Sequence, residues 1–568
     1  MPSTPASDRD GLPRRLSSPP PGAPDARGAV TWLAAALLAV ALGLALWLNL
    51  SRLGARSLQG DEAIYAYPAR LAALHGNWYP LMNRDGRLYT SKPPLIAWPV
   101  ALSFRLDGFS EWADRLPSAL AGAAVVGVVY GLAAWLLEPW TGLLAAALLA
   151  TCRIWLFHHG VRDGVGEPLL CLSLLAALLL YLRYRSTGRR RWLGGACAAA
   201  VVGGLVKGPI GPLYLGLITL VWELVRTRLQ PAARPSPAPP LAPVASRLAA
   251  PAALAAAGLA PYVLWLLDMG RRGLALKEYL HRDVVQRNTV GLDPRHVHGL
   301  AFYPLALGDA FGHWWPALVP AAFYLWRRWR RPAGRAGDGE PAGDLPGAPA
   351  MPGAPAAVAG APARVDRPAP DGPRSRALLM VAIWPIVVLA ILFCSASSLP
   401  WYLQPALAPL AILLAAGCRE IATWLAHWRL APPAFALFLA LLVGFRAAYA
   451  WQLVAQPAKL GPMHRFVLAF RRLPGARLYL ESPFPRDTRF REWNYDYLVQ
   501  LEDVARPLPP SLSAVTGCTF VIAERPEEVA ARLHATAWAA APVETHSGKE
   551  APLYIIDLCG GRVGRSLG

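Results

Sequence analysis

Residues 61–98 read DEAIYAYPARLAALHGNWYPLMNRDGRLYTSKPPLIAW. This polar, proline-punctuated stretch follows a long apolar run at 29–50. It carries an acidic pair, Asp61 and Glu62, and a lysine, Lys92, followed by Pro93 and Pro94. The pattern over 61–75 predicts an amphipathic helix lying in a membrane interface, with Asp61 as its N-terminal cap. The two prolines exclude a helix at Lys92 and fix the chain direction. Lys92 is therefore expected at headgroup level, where a snorkelling anchor is the plain reading.

The rest of the chain explains why lipid enters the argument. Of 568 residues, 55% are hydrophobic and only 16% charged, against about a quarter charged in soluble domains. The apolar residues gather in runs near twenty residues, the length that crosses a bilayer as a helix. Expected spans are 29–50, 117–137, 141–157, 168–184, 193–206, 209–225, 248–267, 301–326, 377–395, 400–417 and 432–452. The class is a polytopic α-helical membrane protein with about eleven transmembrane helices. The 193–225 pair is interrupted by VKGPIGP, which leaves one broken unit as an alternative to two helices. The first span is too long for a signal-peptide core and follows a polar arm, so it is read as retained.

The net charge is +20. Dense basic clusters at 181–192, 226–234 and 326–332 all fall on the cytoplasmic side if the N-terminus is inside. That accounts for the charge without a nucleic-acid partner. Residues 51–116, 158–167, 268–300, 396–400 and the tail after 452 then face outward, although 268–300 also carries basic residues. Residues 1–27 are expected to be a disordered cytoplasmic arm, and the Pro/Ala/Gly-rich segments 229–247 and 331–376 cytoplasmic linkers. In the tail, ARLYLES, CTFVIAE and PLYIIDL read as short strands and PEEVAARLHATAWA as a helix. Residues 453–568 are thus expected to form a small extracytoplasmic α/β domain after a transmembrane domain at 28–452. Cys152, Cys171, Cys197, Cys394 and Cys418 lie in or beside apolar spans as core residues. Cys518 and Cys559 are free to pair if the tail is extracytoplasmic.

Four polar patches share the outward face: Asp61-Glu62, Lys92, HHGVRDGVGEPLL (158–170) with Asp163 and Glu167, and HRDVVQRN (281–288) with Arg282, Asp283 and Arg287. Each alone is explained as loop solvation. Together they place carboxylates and cations on one leaflet, which suits transfer from a lipid-phosphate donor. A carboxylate can orient or deprotonate an acceptor, and lysine or arginine can neutralise a departing phosphate. His158-His159 and RHVHG (295–299) have no diagnostic metal spacing.

These residues resemble a known family. DEAIYAYPARLAALHGNW, GRLYTSKPPLIAW and FSEWADRLPSAL resemble the first outer loop of GT-C-fold, lipid-linked-sugar glycosyltransferases. Within that group the resemblance is to bacterial protein O-mannosyltransferases and aminoarabinose–lipid A transferases. It continues through HGVRDGVGEPLL, GLVKGP, VVQRN and SSLPWYLQPALAPLAIL, over about 50 to 415. The tail fits the extra periplasmic domain of the aminoarabinose enzymes.

The resemblance implies a membrane glycosyltransferase of the bacterial inner membrane, with its active site on the extracytoplasmic side. It would move a sugar, with inversion, from a polyprenyl-phosphate donor to an extracytoplasmic glycolipid, glycan or protein. It implies Asp61 as the catalytic aspartate, with Glu167 at the position of a second-loop Asp. Lys92, Lys207 and Arg287 would bind the donor phosphate. Glu62, Tyr65, Tyr89, Asp163 and Tyr402 are expected to contact substrate.

The chain departs from the family pattern at Ile64 for Arg, Ser91 for Glu and Ser398 for Lys. The loss of two cations and one carboxylate argues against an aminoarabinose–lipid A transferase. No cofactor is certain; a divalent metal stays open, although the Glu that helps to hold it is Ser91 here. A transporter or flippase for a lipid-linked substrate is the other reading, since KGPIGP fits a broken helix. A lipid-anchored assembly protein leaves the loop motifs unexplained. Deleting 335–370 is expected to leave transferase activity in membranes nearly unchanged, because that segment only connects.

Overall fold

The computed structural model describes residues 26–56, 58, 61–83, 86–229, 242–291, 294–329, 372–426 and 431–456, with parts of 470–558. The arm and most of both expected linkers lie outside the described residues. Where the description resumes, helix already covers 26–27, 242–247 and 373–376, so these stretches extend the neighbouring spans.

The chain is a bundle of helices with a peripheral layer at one end. In order, the helices are α1 (Ala26–Leu50), α2 (Asp61–His75), α3 (Trp98–Asp107), α4 (Glu111–Leu136), α5 (Pro139–Ala150), α6 (Arg153–Phe157), α7 (Glu167–Thr187), α8 (Arg190–Lys207) and α9 (Ile210–Leu229). Then come α10 (Ala242–Arg271), α11 (Leu276–Leu280), α12 (Arg287–Thr289), α13 (Phe302–Phe311), α14 (Leu318–Trp329), α15 (Pro373–Phe393), α16 (Gln404–Leu425) and α17 (Ala431–Ala455).

Local chemistry sets the boundaries that matter for the site. Ser110 caps α4 by accepting from the Ala113 N–H at 3.1 Å, with Glu111 and Asp114 in the first turn. Helix α7 begins Glu167-Pro168, where proline's missing N–H costs nothing, and ends at Gly188 in the left-handed region. Its 21 residues span about 31 Å, close to a hydrocarbon core of about 30 Å. Helix α2 occupies the expected 61–75, with Asp61 as its first residue rather than the residue before it.

Seven described helices are long and apolar enough to cross a bilayer. The other four expected spans differ in form. Residues 141–157 divide into α5 and α6, and 193–225 is two helices separated at Gly208, whose φ is +68°. Residues 301–326 break into α13, a 3₁₀ segment at 312–317 and α14. Gly312, at φ +58°, and Pro316 cause that break.

Helices α1, α4, α5, α7, α8, α9, α15 and α16 contribute to one apolar core, with Trp155, Tyr181 and Trp222 fully buried. On α17, Leu437, Phe438, Leu441 and Phe445 remain exposed, as a lipid-facing surface requires. The first loop packs its own core from α2, α3 and the 94–96 turn, including Tyr65, Tyr89, Ile96 and Phe104. The KPP prolines are both buried beneath it.

In the tail, Arg477–Leu480, Ala505–Pro507, Thr519–Ala523, Ala539–Pro542 and Tyr554–Asp557 are strands β1, β2, β3, β4 and β5. Their order is β2-β1-β3-β5-β4, parallel through β2-β1-β3 and antiparallel through β3-β5-β4. The expected helix is described only over Pro526–Arg532, and β4 begins at Ala539, where that helix was expected to end. Cys518 is disulfide-bonded; Cys559 lies outside the described residues.

Candidate active site

The site is built on the loop between α6 and α7, residues 158–166. The Arg162 guanidinium donates to the carbonyls of Asn49 at 3.0 Å and Arg52 at 3.3 Å. Ser118 donates to the Val165 carbonyl at 2.6 Å. Gly164 is required by close approach, because a Cβ there would meet Asp114 Oδ2 at 1.7 Å. A Cβ at Gly160 would meet the Trp155 carbonyl oxygen at 2.1 Å. This tight loop hangs from α1 and α4 and presents His159 and Glu167 to α2.

Two residues expected at the substrate prove to hold this scaffold together. Glu62 is buried and accepts from Arg115 Nε at 2.7 Å and Nη2 at 3.0 Å, and from the Gly164 N–H at 2.9 Å. Burial alone would push its carboxyl up, yet Arg115 and Arg56 hold it below the usual range. Asp163, also buried, pairs with Arg56 and accepts from the Gly160 N–H at 3.1 Å. Both carboxylates, expected at the substrate, are buried and bonded within the protein in this structure.

Asp61 is different. Its side chain is 46% exposed, and its Oδ2 accepts from the Tyr65 hydroxyl at 3.0 Å. His159 Nδ1 lies 3.9 Å from Asp61 Oδ2 and 3.5 Å from Glu167 Oε1. Lys207, at the end of α8, reaches across to Glu167 Oε1. Tyr89 is buried beside Asp61, and burial pushes its phenol far above the usual range. Tyr65 rises for the same reason, with Asp61 adding to it.

A second cluster is cationic. Arg287 sits after a π-helical turn, His281–Gln286, a distortion common at functional sites. Its guanidinium is 3.4 Å from the Tyr402 hydroxyl and 3.3 Å from Asp283 Oδ1. Ser397 donates to the Arg287 carbonyl at 2.8 Å, which ties this turn to the segment before α16. Lys92 is half-buried, and burial pushes its ammonium down from the usual lysine range. Arg287 and Lys207 push it further down, while Asp61 and Asp283 oppose them. Arg287 and Lys207 thus work against the Lys92 charge, and an anionic ligand among them would favour it.

The structure thus brings together Asp61, Tyr65, Tyr89, Lys92, Glu167, Lys207, Arg287 and Tyr402, and sets Glu62 and Asp163 behind them. Sequence reasoning missed Arg115, Arg56, Gln404 and Trp401, which have partners only in three dimensions. A metal fits poorly: Ser91 is an exposed hydroxyl in place of a carboxylate, and Glu167 is taken by Lys207. Among the described residues no group of three or more His, Cys, Asp or Glu is arranged to hold one.

A multi-pass helical bundle with a packed first loop and a carboxylate–cation site at one end fits the GT-C fold that the resemblance implied, and the likenesses to known proteins support it. The fold matches that of ArnT from Cupriavidus metallidurans, solved bound to undecaprenyl phosphate, with a TM-score of 0.58 at 17% identity. That match covers 94% of this chain and 98% of the other. Residues 91–233 match the family model described as dolichyl-phosphate-mannose-protein mannosyltransferase. The chain is 26% identical over 373 residues to an undecaprenyl phosphate-α-4-amino-4-deoxy-L-arabinose arabinosyl transferase of Erwinia tasmaniensis. It is 30% identical over 179 residues to arabinosyl transferase 2 of the same description from Sodalis glossinidius. These alignments take in 63% and 30% of this chain, and span about half (54%) and about a third (32%) of those relatives' lengths.

Proposed function

We propose that this protein is a membrane glycosyltransferase that moves a sugar from a polyprenyl-phosphate donor to an extracytoplasmic acceptor with inversion. The observation that carries the reading is the half-exposed Asp61 carboxylate facing a trio of cations, Lys92, Lys207 and Arg287, around one site beside lipid-facing helices. In this reading the acceptor hydroxyl gives its proton to Asp61 as its oxygen attacks the anomeric carbon. The bond to the phosphate breaks on the opposite face, and the cations hold the charge that develops there. Tyr65 orients Asp61, and Tyr402 orients Arg287.

The site end of α7 would face outward in a bacterial inner membrane. Its other end carries Arg183, Arg185 and Arg189–Arg191, the cytoplasmic signature of the positive-inside rule. The arabinosyl transferase and mannosyltransferase relatives support a lipid-linked sugar as donor. The test is turnover of radiolabelled polyprenyl-phosphate sugars by the full chain in nanodiscs. Saturable binding without turnover of any donor would instead favour a transporter.

Lys92 provides a sharper check. Lys92→Ala is expected to raise the donor KM about tenfold, the scale of one charge-assisted contact, with acceptor KM little changed. Because the Lys92 ammonium is depressed, it loses its proton at a lower pH than an ordinary lysine. Donor affinity should therefore fall early on the alkaline side. Lys92→Arg, which stays charged, should flatten that limb. An unchanged donor dependence in Lys92→Ala would return the residue to an anchor.

A further inference from the structure

His159 has an environment that packing does not explain. Its backbone sits at φ +50°, a left-handed conformation uncommon for any residue but glycine. Strain of this kind persists where the surroundings over-determine it, often at active sites. Three elements do so here. Gln404, the first residue of α16, donates from Nε2 to the carbonyls of His158 at 2.8 Å and His159 at 2.7 Å. The Trp401 ring stacks on the imidazole at 4.2 Å between centroids and 9° between planes. Glu167, at the start of α7, faces Nδ1 at 3.5 Å. The ring is held flat with Nδ1 aimed between two carboxylates, Asp61 and Glu167, and its side chain keeps 21% exposure to solvent.

We propose that His159 is the proton outlet for Asp61. This rests on the transfer reading above and adds a residue to it. In the transfer step the acceptor O–H bond breaks as the new O–C bond forms, and the donor's C–O bond breaks with its electron pair going to the phosphate. The proton passes from the acceptor oxygen to Asp61, then to Nδ1 of His159 in the tautomer that carries its proton on Nε2, and leaves again from Nδ1 to water, which restores the same neutral imidazole. Asp61 is returned as a carboxylate for the next cycle. The 3.9 Å separation from Asp61 is closed by a small side-chain rotation or one bridging water, and hydrogen bonds of this kind tighten when substrate binds.

The titratable and charged groups facing the imidazole among the described residues are Asp61 from α2, Glu167 from α7 with Lys207 from α8 behind it, and His158 beside it. Glu167 is neutralised by Lys207. It can hold the imidazolium in place without competing with Asp61 for the acceptor's proton.

The test uses the full chain in nanodiscs with an accepted polyprenyl-phosphate sugar, across a range of pH. His159→Gly suits the left-handed backbone, so the variant should fold and insert. Its kcat is expected to fall about 10²-fold, the lower range for a proton-transfer group, with donor KM within about a factor of two. Imidazole in the buffer should restore part of that rate, more so as pH rises and the free base predominates. His159→Phe keeps the stack on Trp401 without the nitrogens and is expected to lose as much as His159→Gly. Wild-type turnover by either variant, or a loss that imidazole relieves at no pH, would overturn the proposal. A wild-type chain silent with every donor would instead overturn the transferase reading, and this one with it.

Discussion

Asp61→Asn is expected to lower turnover by about 10³-fold, the middle of the range for losing a general base, while the protein remains folded and inserted. The change removes charge and basicity but almost no volume. The amide oxygen can still accept from Tyr65, as Oδ2 does at 3.0 Å, so the start of α2 should not move. What the amide cannot do is take a proton from an acceptor hydroxyl. The loss should appear in kcat, because the missing interaction belongs to the transition state. Donor affinity should hold or rise slightly, since one negative charge near the cation trio is gone. The check is single-turnover transfer in nanodiscs, with thermal unfolding measured on the same sample. A variant with wild-type turnover would return Asp61 to the dipole-stabilising role its place in the first turn of α2 already suggests.

Arg115→Leu is expected to destabilise the protein by about 3–5 kcal/mol, the usual consequence of leaving one member of a buried ion pair alone. The Arg115 side chain is fully buried. It satisfies Glu62 twice and the carbonyls of Leu53 and Arg56, at 2.9 and 2.8 Å. Removing it takes from the buried Glu62 carboxylate its hydrogen-bonded ion-pair partner, leaving the Gly164 N–H and Arg56, and frees the Leu53 and Arg56 carbonyls. Glu62→Gln alone should cost less, because an amide can keep the Gly164 N–H contact. The double variant Glu62→Met/Arg115→Leu should recover much of the loss. Denaturant unfolding of the four proteins gives the coupling directly. Purely additive effects would mean that the pair does not act as a unit. Activity should follow stability, since both side chains are buried and bonded to each other.

These two outcomes together separate neighbours that the sequence presents as equals. Asp61 and Glu62 are adjacent acids in one motif, and both read as substrate-facing. On a helix, consecutive side chains point about 100° apart, so only one can face the cavity while the other turns into the protein. Which one does so depends on where Arg115 lies, 53 positions away. The same holds for Asp163 and Glu167. One meets Arg56 and the other meets Lys207, and no local pattern distinguishes them.

Other features were legible because their causes are local. Helix α2 over 61–75 follows from its local pattern, and the break at Gly208 from backbone freedom beside Pro209. The expected single span at 301–326 shows the limit of composition alone, for the apolar run hides the turn that Gly312 and Pro316 impose. In the tail, β1, β3 and β5 are rich in branched or aromatic side chains and were readable, whereas β4, AAAP, owes its conformation to pairing with β5.

Residue patterns alone gave the membrane class and showed which charges lie at the basic end and which at the site end. These depend on transfer of apolar runs into lipid and on local helix chemistry, both additive along the chain. Which carboxylate is exposed and which is locked, how close the three cations lie, and that His159 lies flat on Trp401 between Asp61 and Glu167 came from packing in three dimensions. Those facts depend on distances between residues tens to hundreds of positions apart, and packing alone sets such distances.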